Sequence, residues 1–231
     1  ALGPRECSQF SDGIRPITGS QSAVSKGSRL RKLNAPVWTA MAAALATALL
    51  GCSSDNGSTA AKCDEVAAPM TDIPARSEQE PRLRLPQPQG WERTTTLDSD
   101  SIRFAIRDPA LAADGFIPNA VVTLQKVGAD AGNPQQILDA QTKTLAKKLK
   151  ATDMQSTQGQ VCGSPAQAIT YPAPKMGKIP ARKATSLAAV LQSGDASYVA
   201  TVTVQTVKAA DPTYAEDSAA IIKGFQILPP K

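Results

Sequence analysis

The 231-residue chain contains no histidine. This absence excludes imidazole-based catalytic triads, histidine general acid/base chemistry and imidazole metal ligands. The sequence also lacks a Gly-x-Ser-x-Gly nucleophile motif and glycine-rich phosphate loops, and its carboxylates do not have the spacing of a calcium loop. We therefore expect a protein that is not an enzyme and that has no cofactor and no metal site.

Two weak candidates for catalysis have simpler interpretations. Asp98 and Asp100 are two residues apart and would share one face of a strand, but Asp-Ser-Asp-Ser before a strand is more typical of a solvated turn. Ser164 stands in Cys-Gly-Ser-Pro, where no base accompanies it, and is interpreted as a turn residue.

Long hydrophobic runs are also absent. The main apolar run, Val37–Leu50, has 14 residues, which is short for a membrane span but typical of a signal sequence. Four cations precede it, Lys26, Arg29, Arg31 and Lys32, and Leu49-Leu50-Gly51-Cys52 ends it. This order resembles a bacterial lipobox. The alternative is a buried core helix with a chance cysteine.

The lipobox resemblance implies a signal peptide over 26–51, cleavage before Cys52, and acyl chains such as palmitate on Cys52. Two or three acyl chains anchor a protein stably, whereas one does so only marginally. We therefore expect a location on the extracytoplasmic face of the cell membrane. Residues 1–25 show no periodic apolar pattern and are interpreted as a non-native or misassigned upstream segment.

The cationic excess lies mostly upstream of Cys52. Residues 1–51 carry six Lys/Arg and two Asp/Glu, which leaves 19 basic and 18 acidic residues from Cys52 onward. The basic pI of about 9.1 is therefore no argument for nucleic-acid binding. Residues 52–80 have the Ser/Thr/Ala-rich composition of a tether, and 81–231 would form the domain.

Four cysteines are present, and the exported part would keep Cys63 and Cys162 besides the anchor Cys52. An exported domain lies in a disulfide-permissive space, so one bridge between Cys63 and Cys162 is the natural expectation. The alternative is two unpaired thiols.

The pattern beyond residue 81 predicts an α+β domain with an antiparallel sheet flanked by helices. Alternating residues predict strands within 82–85, 102–107, 120–125, 158–161, 166–171, 182–191 and 197–207, and a short last strand at 225–227. Asn133-Pro134 and Asp211-Pro212 predict two helix starts. Leu138, Leu145 and Leu149 would line the first helix, and Ala215, Ala219 and Ile222 the second.

Two segments carry a family resemblance. They are Leu85-Pro-Gln-Pro-Gln-Gly-Trp91 and Ala219-Ala-Ile-Ile-Lys-Gly-Phe225. Together with the lipobox they resemble the LpqN/LpqT family of mycobacterial cell-envelope lipoproteins over about residues 80–228. The resemblance implies a Mog1/PsbP-like fold and a role in binding envelope lipids or glycolipids and assisting their transport, with envelope lipid exporters as partners. The alternative is a protein-docking module for transport proteins without a small ligand.

No ligand-binding residue is assigned by the resemblance. Leu138, Leu145, Tyr198 and Val202 are candidates for the walls of an apolar slot, or else they fill a solid core. Trp91 is interpreted as a core anchor more readily than as a stacking platform. The remaining candidate is a cluster of cations that forms either a solvated face or a contact with anionic lipid headgroups: Lys143, Lys147, Lys148 and Lys150.

Overall fold

The structure is a computed structural model that describes residues 62–149 and 153–231. The predicted upstream segment, the predicted signal peptide, Cys52 and part of the predicted tether lie outside these ranges, as does Lys150. Within them the chain forms strands β1 Met70–Ile73, β2 Arg82–Pro86, β3 Glu92–Arg93, β4 Ile102–Arg107, β5 Asn119–Val127, β6 Gln155–Val161, β7 Ser164–Ala173, β8 Arg182–Ser193, β9 Ala196–Thr206 and β10 Gln226–Leu228, and helices α1 Pro134–Leu149 and α2 Pro212–Gly224.

The strands form two sheets. The larger has the order β3-β4-β5-β9-β8-β7-β6, and the smaller has the order β1-β2-β10. Every strand pair is antiparallel. The α+β class predicted from the sequence is confirmed.

Short turns join the long strands. Cys162 and Gly163 connect β6 to β7 with φ angles of 48° and 80°, as a two-residue type I′ turn requires. Ser164 therefore does not belong to the turn, as the sequence-based interpretation had it, but begins β7 and is buried. Gly194 has a φ of 58° in the turn between β8 and β9, where the sequence predicts a hairpin.

Both helices begin at the predicted caps. The side chain of Asn133 accepts a hydrogen bond from the backbone N–H of Gln136, whose side chain accepts one from the N–H of Asn133. This reciprocal pair is a capping box. Asp211 accepts from the N–H of Tyr214 at 3.1 Å, with Pro212 in the first turn of α2.

The large sheet is covered on both faces. Tyr198, Val202 and Val204 of β9 point to one face, where they pack in one cluster with residues of the small sheet and α2 such as Leu83 and Ile221. Val199 points to the other face and packs with Ile137 and Leu138 of α1. Because successive side chains of a strand point to opposite faces of the sheet, β9 contributes residues to both cores.

Two expectations are corrected by this packing. The first strand, β1, lies inside the segment assigned to a tether, and its Ile73 is buried, so the folded part begins upstream of the predicted boundary at residue 81. In α2, Ala215 and Ala219 are exposed, because the larger side chains of Tyr214 and Ile221 occupy the buried face of the helix.

Candidate functional site

The predicted walls of an apolar slot do not come together. Leu138 is buried under α1, and Leu145 packs on a separate cluster with Tyr171 and Ala173. Tyr198 and Val202 belong to the core on the opposite face of the large sheet. These side chains therefore pack in three separate clusters and do not line one common slot.

A surface cleft of about 460 Å³ lies instead at one end of β6, β7 and β8. This volume falls in the range of small-molecule sites. Cross-strand neighbours form part of its wall, since Gln155 pairs with Thr170 and Pro172 with Lys183. The full lining consists of Asp153, Gln155, Thr170, Tyr171, Pro172, Ala173, Ala181, Arg182 and Lys183.

Arg182 is the best-positioned polar group of this cleft. Its Nε donates to Oε1 of Gln205, and a terminal nitrogen donates to the carbonyl of Pro180 at 3.3 Å. Gln205 in turn donates to Asn119 at 2.9 Å, and the guanidinium lies 5.6 Å from the ring centroid of Phe116. The side chain is thus held by neutral partners, of which Gln205 lies on β9, and Arg182 forms no ion pair with the described residues.

The charge around this cleft is mostly positive, with Asp153 as the one acidic residue of its lining. Between Asp153 and Asp195 the sequence has no Asp or Glu, but it has Lys175, Lys178, Arg182 and Lys183. Apolar atoms of Tyr171, Pro172 and two alanines form the rest of the lining. This combination suits a ligand with a polar or anionic head and a short apolar portion.

A second cleft of about 870 Å³ lies beside β1 and β2. Several of its charged side chains have a partner: Asp72, Arg76, Glu80, Arg82 and Arg84. Arg84 contacts Asp72 at 2.8 Å, and Arg103 binds Glu80 with two hydrogen bonds of 2.9 and 2.5 Å. The hydrogen bond from Arg103 is the main reason that the pKa of Glu80 lies below its usual value of 4.5. This pairing points to a structural role.

Trp91 is a core anchor, as the sequence predicts. It is 3% exposed, and its Nε1 donates to Oδ2 of Asp217 at 2.9 Å. Burial raises the pKa of the Asp217 carboxyl, against the lowering effect of this hydrogen bond. The indole therefore joins the loop after β2 to helix α2 and is not open to a ligand.

The remaining candidates are separated. Asp98 forms an ion pair with Arg93 at 2.6 Å, whereas Asp100 lies 3.9 Å from Arg76, so the two carboxylates do not act as a pair. No cluster of potential metal ligands occurs among the residues that the structure describes. The helices within 62–149 and 153–231 are also too short or too polar to cross a membrane.

Cys63 and Cys162 form a disulfide with a Cα–Cα distance of 4.2 Å. It ties the segment before β1 to the turn between β6 and β7. This turn lies at the end of β7 opposite to the 460 Å³ cleft, because the cleft is built on the last residues of β7.

Sequence reasoning had identified 172–180 only as a loop, from its prolines and glycine. The missed signal was the cation-rich, acid-free stretch around Arg182, together with Met176 and Ile179 within that polar loop. Lys143, Lys147 and Lys148 lie exposed on α1, and no ion pair to them is formed by the described residues.

Comparison with known proteins gives a family and a fold. A family model described as "Probable lipoprotein LpqN" matches residues 65–228. No curated protein matches the chain. A solved structure of LpqN from Mycobacterium tuberculosis, described as involved in cell envelope biogenesis, is 19% identical, with a TM-score of 0.55, over 70% of this chain and 91% of that chain. The Ran-binding protein Mog1p of Saccharomyces cerevisiae is 15% identical, with a TM-score of 0.42, over 71% and 97%.

Proposed function

The chain belongs to the family of the probable lipoprotein LpqN, and on that premise we propose that it is an extracytoplasmic, membrane-anchored lipoprotein of the cell envelope. Its domain binds the head of an envelope lipid or glycolipid and assists the transport of that lipid, with envelope lipid exporters as partners. Binding is favoured over catalysis because the chain has no histidine and the candidate carboxylates Asp98 and Asp100 contact two different arginines.

One observation carries the ligand proposal. It is the 460 Å³ cleft whose lining has two cations, Arg182 and Lys183, against one acid, Asp153, and in which Arg182 is fixed by the neutral groups of Gln205 and Pro180. A fixed guanidinium offers forked donors to a phosphate or to sugar hydroxyls, and Tyr171 and Pro172 supply an apolar surface for the first part of an acyl chain.

Isothermal titration of the full chain with a short-chain acyl-trehalose tests this site. Arg182→Gln removes the charge and the fork, so we expect the affinity to fall by about 10- to 100-fold, which corresponds to a lost charge-assisted hydrogen bond. Arg84→Gln is the matched control, since Arg84 lies in the other cleft. Absence of binding by the parent chain, or an equal loss in both variants, would refute the assignment.

The anchor is tested separately. Cys52→Ala removes the thiol that the lipobox presents for acylation. We expect the variant to lose its lipid mass in mass spectrometry and either to keep its signal peptide or to leave the membrane fraction. Cys63→Ala would leave acylation intact. Unchanged membrane retention of the Cys52 variant, with no lipid mass on the parent chain, contradicts the anchor.

A protein-docking module without a small ligand is the second candidate. The solid packing around Leu138, Tyr198 and Val202 favours it, because the domain offers no acyl-chain slot at those positions. Native mass spectrometry of the purified chain distinguishes the two. A co-purifying lipid supports the first proposal, and a lipid-free domain that binds a purified envelope exporter supports the second.

A further inference from the structure

The loop between β7 and β8 ends in a tight, well-defined hairpin tip, residues 174–181. Met176 and Ile179 pair across it and exchange two backbone hydrogen bonds, at 2.9 and 3.0 Å. Gly177 between them has a φ of 59°, which is typical of the first position of a type II′ turn. The two apolar side chains are therefore presented side by side by a closed turn with a fixed register.

Both side chains are open to solvent. Met176 is 52% exposed and Ile179 is 44% exposed, and the described residues include one other large apolar side chain exposed to this degree, Leu97 at 40%. Single exposed apolar residues are ordinary on protein surfaces, but a pair at the apex of a projecting turn is a candidate contact.

Cations surround the pair. Lys175 and Lys178 lie beside the two apolar residues, and Arg182 and Lys183 follow at the start of β8. Asp153, in the lining of the adjacent cleft, is the one acidic residue near them in sequence or in that lining, since no carboxylate occurs from 154 to 194. The basic end of α1 lies at the same end of the sheet, because Leu145 and Leu149 pack on Tyr171, Ala173 and Ala184. The exposed Lys147 and Lys148 thus extend the positive surface.

We propose that the tip 174–181 binds the surface of a bilayer that contains anionic phospholipids. Met176 and Ile179 insert at the boundary between headgroups and acyl chains, and the flanking lysines lie among the phosphates. Apolar residues framed by Lys and Arg are characteristic of interfacial membrane segments. Lysine is depleted in protein–protein interfaces, which disfavours a protein as the occupant of this tip. The contact does not require a glycolipid in the cleft.

Tryptophan fluorescence with bromine-labelled phospholipids tests the insertion. The full chain carries Trp38→Phe and Cys52→Ala, so that neither the upstream tryptophan nor an acyl anchor contributes, while Trp91 stays buried. The apolar run Val37–Leu50 is present in every variant, so the difference between the two reporters, and not vesicle binding itself, reports on the tip. Met176→Trp then reports the tip, and Leu97→Trp is the matched control on another loop. We expect the first to be quenched by vesicles of phosphatidylcholine and phosphatidylglycerol and the second not to be quenched.

The charge requirement is tested on the Met176→Trp background. Lys175→Gln, Lys178→Gln and Lys183→Gln together should weaken the contact by on the order of 100-fold, at about fivefold per lysine near an anionic surface. The control changes three other exposed lysines, Lys126, Lys208 and Lys223, to Gln and should leave quenching unchanged. Salt at about 1 M should abolish the contact by screening.

Several results would overturn the proposal. They are no quenching of Met176→Trp with anionic vesicles, equal quenching of Leu97→Trp, and equal loss in both lysine sets. Circular dichroism melting of each variant verifies that the fold is intact. Acyl-trehalose titration of the parent chain keeps the two proposals apart, because ligand binding without vesicle contact supports only the ligand proposal, and vesicle contact without ligand binding supports only the tip proposal. If a purified exporter binds the tip while vesicles do not, the tip is a protein-docking site.

Discussion

At the scale of single residues, the contact between Trp91 and Asp217 links sequence positions 126 apart. The indole of Trp91 was predictable as a core residue because it follows the Pro-x-Pro-x-Gly segment that ends a strand, β2, which is the central strand of the small sheet. Its acidic partner was not, since Asp217 stands in a helix among other polar residues. Nothing local distinguishes it from Glu216, and only the packing of α2 on the loop after β2 selects it.

Substitutions at Asp217 separate its charge from its hydrogen bond. Asp217→Asn keeps an oxygen for the indole N–H, so we expect equal or higher stability at neutral pH. Asp217→Ala leaves that buried donor unpaired and should cost about 1–3 kcal/mol. Urea unfolding at a series of pH values measures both. Equal stability of the two variants would contradict the assigned hydrogen bond.

The same experiment has a pH signature. Burial raises the pKa of Asp217 in the folded protein above its usual 3.8, so the folded state holds this proton more tightly than the unfolded state. The contribution of Asp217 to stability is therefore present at low pH and is lost as the pH rises through the folded pKa. Asp217→Asn should remove this decline. The difference in the free energy of unfolding between this variant and the parent chain, followed over pH, then gives the contribution of Asp217 separately from those of other carboxylates such as Glu80.

At the scale of elements, α2 shows a glycine whose role differs from the sequence-based interpretation. Gly224 ends the helix as predicted, but not through a left-handed conformation. A Cβ on Gly224 would lie 2.6 Å from Cγ of Pro86 and 2.6 Å from Cγ2 of Val66. The helix end thus packs closely on β2 and on the segment before β1.

Replacing this glycine tests the close approach. Gly224→Ala should destabilise the domain by about 1–3 kcal/mol through overpacking, as measured by urea unfolding. Gly159→Ala in β6 is the control, because nothing lies within 4 Å of its Cβ position and its φ is ordinary. A Gly224 variant as stable as the control would show that Val66 and Pro86 shift at little cost.

The elements also show how far sequence reasoning reaches. The hairpin of β8 and β9 and the caps Asn133 and Asp211 were predictable, because period-two alternation and capping chemistry are local. Strand β1 was not, since four residues in a polar segment become a strand only by pairing with β2. The cleft was missed for the same reason: it brings Gln155 of β6 next to Thr170 of β7 and Arg182 of β8, and no local pattern encodes that meeting.

At the scale of the whole molecule, the disulfide joins the two sheets across 99 residues of sequence. Cys63 precedes β1 of the small sheet, and Cys162 lies in a turn of the large one. Closing a loop of this length restricts the unfolded chain, and the entropic account gives about 4–5 kcal/mol as an upper figure.

Reduction of this bridge should therefore lower the free energy of unfolding by a few kcal/mol at most. Peptide mapping under non-reducing conditions should recover Cys63 joined to Cys162 from the exported protein, and urea unfolding with and without reductant measures the loss. A Cys63→Ser, Cys162→Ser double variant should match the reduced parent chain. Free alkylation of both thiols in the exported protein would contradict the bridge.

The position of this bridge also limits the distance between Cys52 and the folded domain. The hairpin tip follows β7, and Cys162 precedes it, so the tip lies more than the length of a ten-residue strand, about 33 Å, from the pinned end. If Cys52 is acylated as we propose, the eleven residues to Cys63 reach at most about 36–40 Å, little more than that separation. A domain whose tip touches the same bilayer can then stand upright only when this segment is almost fully extended, so the entropy of the segment favours a domain that lies along the membrane.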